Sequence, residues 1–134
     1  MPDTIRVLWV DDSPDLLSAY TRLVQRTPGL EMIGTLESAD DLVSESARLS
    51  PDVVVIDLTM PGKEPLSAVT ELSGKLPNVR SIVFSGYDDH ATVQSAVDAG
   101  AWGLVPKLKG GLPGDVLGAI RRVIRGEMCF PAAH

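Results

Sequence analysis

The sequence predicts an α/β protein, with a five-stranded parallel sheet covered by helices on both faces. Three observations lead there. Five short apolar runs alternate with five stretches of helical periodicity across the 134 residues, joined by brief turn-forming links. Several of those runs, Val53-Val54-Val55-Ile56 above all, are apolar without alternation, as a strand buried on both faces must be. The runs also end in polar residues, which suits the carboxyl edge of a parallel sheet, where ligands bind.

The elements follow in order. Ile5 to Val10 is the first strand and ends in Asp11-Asp12. Ser13-Pro14-Asp15 starts a helix with a capping hydroxyl, a proline at the first helical position and an acid at the positive end of the dipole. Its stripe is Leu16, Tyr20, Leu23 and Val24, and Thr27-Pro28-Gly29 ends it. A more mixed strand from Glu31 to Leu36 belongs nearer an edge. Ser38 and Asp41 have the spacing of a capping box, ahead of a helix with Leu42, Val43, Ser46, Ala47 and Leu49 on its apolar side. Ser50-Pro51-Asp52 turns into the strand Val53 to Ile56, which runs into Asp57 and is stopped by Met60-Pro61-Gly62.

Pro65 opens a helix striped by Leu66, Val69, Leu72 and Leu76. Arg80 to Phe84 is the fourth strand, ending in Ser85-Gly86. Asp88 is placed to cap a helix through Val93, Ala96 and Val97 that closes at Gly100. Trp102 to Val105 is the fifth strand, and Pro106, which lacks an amide donor, suits an edge or a strand end. Pro113 opens the last helix, with Val116, Leu117, Ile120, Val123 and Ile124 inward, three arginines (Arg121, Arg122, Arg125) near its end and Gly126 as the stop. The first, third and fourth strands are the most apolar and should be central. That selects the flavodoxin-like order 2-1-3-4-5.

Composition narrows the function. The length is that of one domain, with residues 1–134 read as a single unit. A net charge of −6 argues against a nucleic-acid-binding surface, which would be basic. The single cysteine, Cys129, cannot form an intrachain disulfide and suits a reducing cytoplasm. No apolar run approaches the roughly 20 residues of a membrane span, and the start of the chain has no secretory pattern.

Parallel strands all end at one edge, so the groups after them converge: Asp11 and Asp12, Asp57, Ser85 and Lys107. Three crowded carboxylates repel one another and call for a compensating cation. Hard oxygen ligands with room for water point to Mg²⁺, which readily shares itself with a phosphate. Lys107 and the Ser85 hydroxyl then offer a charge and a hydrogen bond to the oxygens of a phosphoryl group on Asp57, and the amide after Asp57 offers another donor. The constellation is that of an aspartyl-phosphate site. Gly110-Gly111 lacks the Lys-Ser/Thr of a phosphate loop and reads as a loop. His90 with Asp88 and Asp89 reads as a solvated helix start rather than a metal site.

With those residues in view, the chain resembles the receiver domain of two-component response regulators across essentially its whole length. Val10-Asp11-Asp12-Ser13-Pro14 matches that family's acidic pair, Asp57-Leu58-Thr59-Met60-Pro61-Gly62 its phosphoacceptor motif, Phe84-Ser85-Gly86 its hydroxyl position and Ala99 to Lys107 its lysine segment. The run Ala119 to Glu127 is similar to receivers of the NarL/FixJ subfamily, which usually continue into a helix-turn-helix DNA-binding domain that these residues do not include.

The resemblance implies that a sensor histidine kinase donates a phosphoryl group to Asp57, with Mg²⁺ held by Asp11, Asp12 and Asp57. It also implies that Ser85 then shifts, and that the face made by the fourth helix, fifth strand and fifth helix repacks to control an output domain or partner protein. The domain itself would contact neither nucleic acid nor membrane, and would promote only its own phosphorylation and dephosphorylation. Apart from the resemblance, Gly114 and Gly118 form a small-residue strip on the fifth helix, which either permits close approach of a second copy in a homodimer or simply marks a weak helix. Three positions depart from the family pattern: Leu104 stands where an aromatic switch residue is usual, Leu108 where proline often follows the lysine, and Pro65 where glycine is usual. Two alternatives stand beside this reading. One is a degenerate receiver that signals through protein contacts without phosphate. The other is an aspartyl-nucleophile phosphatase, which would want an acid where Thr59 stands.

Overall fold

A computed structural model describes residues 4–58, 64–87, 89–108 and 115–131. The Met60-Pro61-Gly62 stop, the Asp88 cap, Gly110-Gly111, Pro113 and Gly114 lie outside the described residues. The described chain alternates strand and helix: β1 (Ile5–Val10), α1 (Pro14–Gln25), β2 (Leu30–Leu36), α2 (Leu42–Leu49), β3 (Val53–Asp57), α3 (Pro65–Lys75), β4 (Arg80–Ser85), α4 (His90–Ala99), β5 (Gly103–Pro106) and α5 (Val116–Ile124). All strand pairs are parallel, in the order β2-β1-β3-β4-β5, as expected from which runs are most apolar.

The sheet divides the core in two. Successive side chains of a strand point to opposite faces. Trp9, Val53, Val55, Ile82 and Phe84 therefore pack against Leu17, Tyr20 and Val24 of α1 and Val116, Ile120 and Val123 of α5. Leu8, Val10, Val54, Ile56, Val83 and Leu104 face the other way, onto Leu42 of α2, Val69 and Leu72 of α3 and Ala96 of α4. Every residue of β3 is buried, which is why its sequence shows no alternation.

Several local expectations change. Ser38 does not cap α2; its hydroxyl accepts from the Asp40 amide at 3.3 Å, and Asp41 is the N-cap without a side-chain bond. A serine hydroxyl satisfies a turn amide two residues on as readily as a helix amide, so the spacing was ambiguous. Ala47 is exposed while Leu17, absent from the expected α1 stripe, is buried. Val97 is 42% exposed rather than inward, because α4 buries the narrow Ala96 and Ala99 side against the sheet. Asp89 caps α4, accepting from the Thr92 amide. The negative end of α5 is met from another element: Arg80 of β4 donates to the Val123 and Ile124 carbonyls at 2.6 and 3.0 Å, its guanidinium lying 4.4 Å from the Trp102 ring centroid. Trp102, just before β5, is partly buried and packs against the first core cluster.

Beyond α5, the chain turns at Gly126 and returns to the sheet. Cys129 donates to the Trp102 carbonyl and accepts from the Leu104 amide, both at 2.9 Å, covering the outer edge of β5 in parallel sense. Phe130 packs against the cluster that holds Leu104. Gly103 makes the approach possible, since a Cβ there would sit 2.7 Å from the Cys129 carbonyl oxygen. Among the described residues no helix is long and apolar enough to cross a membrane.

Candidate functional site

The strand ends bring the expected groups to the carboxyl edge. β1 and β3 are neighbours with Val10 paired to Ile56, which sets the next residues, Asp11 and Asp57, side by side. Asp57 closes β3 itself rather than following it, opposite Phe84 of β4. Asp11 and Asp57 are buried and Asp12 is exposed; each offers a carboxylate oxygen within 4.8 Å of the other two. Lys107, from the end of β5, reaches across β4 so that its ammonium donates to Asp11 Oδ2 at 2.9 Å and lies 3.1 Å from Asp57 Oδ2. The other oxygen of Asp11 accepts from the Ser13 amide at 3.0 Å, which aims the carboxylate and helps set the Ser13 cap of α1.

The electrostatics follow from this arrangement. Burial works to lower the Lys107 pKa, but the Asp11 hydrogen bond and the charges of Asp57 and Asp11 outweigh it and hold the ammonium above the usual lysine range. Tyr20 reaches the same site from α1. Burial raises its phenol to about 12; Lys107 opposes that rise while Asp11 and Asp57 add to it, so the hydroxyl lies within the field of all three charges.

Ser85 is fully buried at the end of β4. The Tyr87 amide donates to its hydroxyl oxygen at 3.0 Å, and the Lys107 amide donates to its carbonyl at 2.6 Å, so Ser85 and Lys107 are joined through the backbone. The amide directly after Asp57 is not available as a donor to a ligand, contrary to expectation, because Leu58 N–H donates to the Phe84 carbonyl at 3.1 Å. It continues the ladder between β3 and β4, as an amide one residue past a central strand readily does. Leu104 is 2% exposed, paired with Val83 and covered by the second core cluster.

Tyr20 and Phe84, next to the site, carried no functional signal in the sequence. Trp9, Tyr20 and Phe84 form one aromatic cluster, with Trp9 and Tyr20 face to face at 4.5 Å and both set edge-on to Phe84 at 5.9 and 5.7 Å. The Lys107 ammonium stands 5.3 Å from the Phe84 centroid. Tyr20 read only as part of a helical stripe and Phe84 only as a strand residue, which is what their spacing shows.

Three carboxylates with oxygens this close, one of them open to solvent, form a hard-oxygen donor set that fits Mg²⁺: few protein ligands, with water able to complete the shell.

Comparison with known proteins agrees with this geometry. The sequence model of the response regulator receiver domain matches residues 7–110. The chain is 28% identical over 128 residues to the uncharacterized transcriptional regulatory protein YxjL of Bacillus subtilis, covering 96% of the chain and 58% of that protein. It is 30% identical over 127 residues to the nitrate/nitrite response regulator NarL of Escherichia coli K12, covering 95% of the chain and 58% of NarL. The chain thus spans less than two thirds of these relatives. Among solved structures, a LuxR-family two-component response regulator from Aurantimonas sp. SI85-9A1 superposes with a TM-score of 0.86 at 29% identity, covering 95% of this chain and 89% of that one.

Proposed function

The chain belongs to the response regulator receiver domain family, and from that premise we propose that Asp57 is the phosphoacceptor, with Asp11, Asp12, Lys107 and Ser85 as its machinery. The observation that carries this reading is the Lys107 ammonium held between two buried carboxylates, 2.9 Å from Asp11 and 3.1 Å from Asp57, beside a third acid open to solvent. A purely structural ion pair would need one acid. Here the surplus negative charge accumulates where a phosphoryl group could enter.

In the reaction, an Asp57 carboxylate oxygen donates an electron pair to the phosphorus of a phosphohistidine. The phosphorus–nitrogen bond breaks with its electrons remaining on the imidazole of the kinase, which takes a proton from solvent. Hydrolysis later reverses the state: water adds to phosphorus, inorganic phosphate leaves and the carboxylate returns. Bound by Asp11, Asp12 and Asp57, Mg²⁺ would supply positive charge to the phosphoryl oxygens. Lys107 trades its Asp57 contact for a phosphoryl oxygen, and Ser85, whose oxygen accepts from the Tyr87 amide, turns its hydroxyl hydrogen toward another. Both residues sit at the ends of β4 and β5, so these exchanges pull on the strand carrying Leu104 and on the α4-β5-α5 face.

The wider role follows from the family. A sensor histidine kinase is the donor, and the signal passes to an output domain or partner protein, with transcriptional control through a DNA-binding domain outside these residues as the output. A cytoplasmic location goes with such a donor. The convergence of Asp11, Asp12, Asp57 and Lys107, with Ser85 at the end of the neighbouring strand, goes against a phosphate-independent interaction module, and Thr59 in the place of a second acid goes against a phosphatase.

The test is intact-mass measurement after incubation with acetyl phosphate and Mg²⁺. The expected result is a gain of one phosphate in the wild type and none in Asp57→Ala. No gain in the wild type, or an equal gain in the variant, overturns the assignment.

A further inference from the structure

Lysine carries its charge on a stem with four rotatable bonds, and nothing intrinsic holds the ammonium in one place. Lys107 nevertheless sits between Asp11 and Asp57 with only 16% of its side chain exposed. The carboxylates attract it from one side. From the other, the face of Phe84 lies 5.3 Å from the nitrogen, within the range at which the negative face of an aromatic ring attracts a cation. Phe84 is itself fully buried, flanked on its strand by Asp57 on β3 and Val105 on β5, and its ring is held edge-on by Trp9 and Tyr20. The chain has two tryptophans, two tyrosines and two phenylalanines. One of each is spent on this single stack.

We propose that Phe84 is a positioning residue for Lys107: its ring, braced by Trp9 and Tyr20, is the floor that keeps the ammonium poised at the phosphoryl-accepting edge. The proposal rests on the phosphoacceptor reading of Asp57. A core residue without this role would need only to fill volume, and leucine would serve nearly as well. A floor for a cation needs a π face, so leucine would not.

The experiment uses the wild type, Phe84→Leu and Tyr20→Leu. In the wild type, ring shielding moves the Lys107 ε-methylene protons upfield of other lysines by NMR; in Phe84→Leu they return to the ordinary position. With acetyl phosphate at saturating Mg²⁺, Phe84→Leu labels about fivefold more slowly while its Mg²⁺ dissociation constant stays within twofold of wild type, since the acids and not the lysine hold the metal. Tyr20→Leu, which removes one brace and leaves the floor, shows a smaller loss in both readouts. Unshielded Lys107 protons in the wild type overturn the inference even if Phe84→Leu fails to fold. So does a folded Phe84→Leu that labels at the wild-type rate, or one that loses rate and Mg²⁺ affinity together, as general damage to the strand end would cause. A wild type that shows the shielding but takes no phosphate overturns the phosphoacceptor reading and leaves the Phe84–Lys107 geometry standing.

Discussion

Asp11 shows how one side chain serves both the fold and the site. One of its oxygens accepts the Ser13 amide at the mouth of α1, and the other accepts the Lys107 ammonium from β5, 96 residues away in sequence. Tyr20, under the same charges, gives the residue scale its pH test. Its pKa is raised to about 12 in the folded protein, against about 10 for a free phenol. Because the folded state holds that proton more tightly, the stabilisation is fully present below pH ~10 and is lost as pH rises toward 12. Lys107, also raised, acts in the same direction above the usual lysine range. Urea unfolding at pH 9 and 11 should therefore show the wild type losing about 1 kcal/mol more than Tyr20→Phe over that interval. Parallel losses in the two proteins would mean that the Tyr20 phenol is not the group responsible.

At the scale of elements, the segment after α5 is the least conventional part of the chain. It gives β5 a partner on its outer edge, through the Trp102–Cys129 and Cys129–Leu104 hydrogen bonds. An uncovered edge would leave those groups to solvent or to another chain. Gly103 permits this by lacking a side chain where the Cys129 carbonyl comes closest. Gly103→Ala should push the segment off β5 and cost about 1–2 kcal/mol, as a backbone clash with two hydrogen bonds lost would. Hydrogen exchange checks it: the Cys129 and Leu104 amides should lose protection while the amides of β3 keep theirs. The helices follow simpler rules. Gly100 ends α4 in the left-handed region at φ +98°, with the Gly100 and Ala101 amides returning to the last turn of the helix.

The whole molecule carries a net charge of −6, and three of its acids meet at one point on the sheet edge. Any ligand that binds the folded but not the unfolded chain raises stability by mass action. Mg²⁺ at roughly 100 times its dissociation constant should add about 2–3 kcal/mol, or several degrees in the unfolding midpoint. Differential scanning calorimetry in Mg²⁺ against chelator, at matched ionic strength, measures it. Asp12→Ala should abolish most of the gain, because Asp12 is exposed and its loss does not disturb the core. An equal gain in that variant would mean that screening of the acidic surface, not a site, produces the effect.

The sequence by itself determined the architecture and which residues gather at the carboxyl edge of the sheet. Four consecutive branched apolar residues ahead of Asp57 have no stable place except a strand covered on both faces, and such strands pair in parallel with their ends at one edge. Asp11, Asp12, Ser85 and Lys107 were therefore legible as neighbours, each just after an apolar run. Helix faces were legible only in outline, since which flank of α1 or α4 is buried depends on the crossing of each helix over the sheet; that is why Leu17 was missed and Val97 misplaced. Tertiary structure alone decided three things. It committed the Leu58 amide to Phe84, laid Cys129 along β5, and set Phe84, braced by Trp9 and Tyr20, against Lys107. Each is a contact between segments distant in the chain, where no local spacing carries a trace of the partner, and each depends on the register in which the strands were laid side by side.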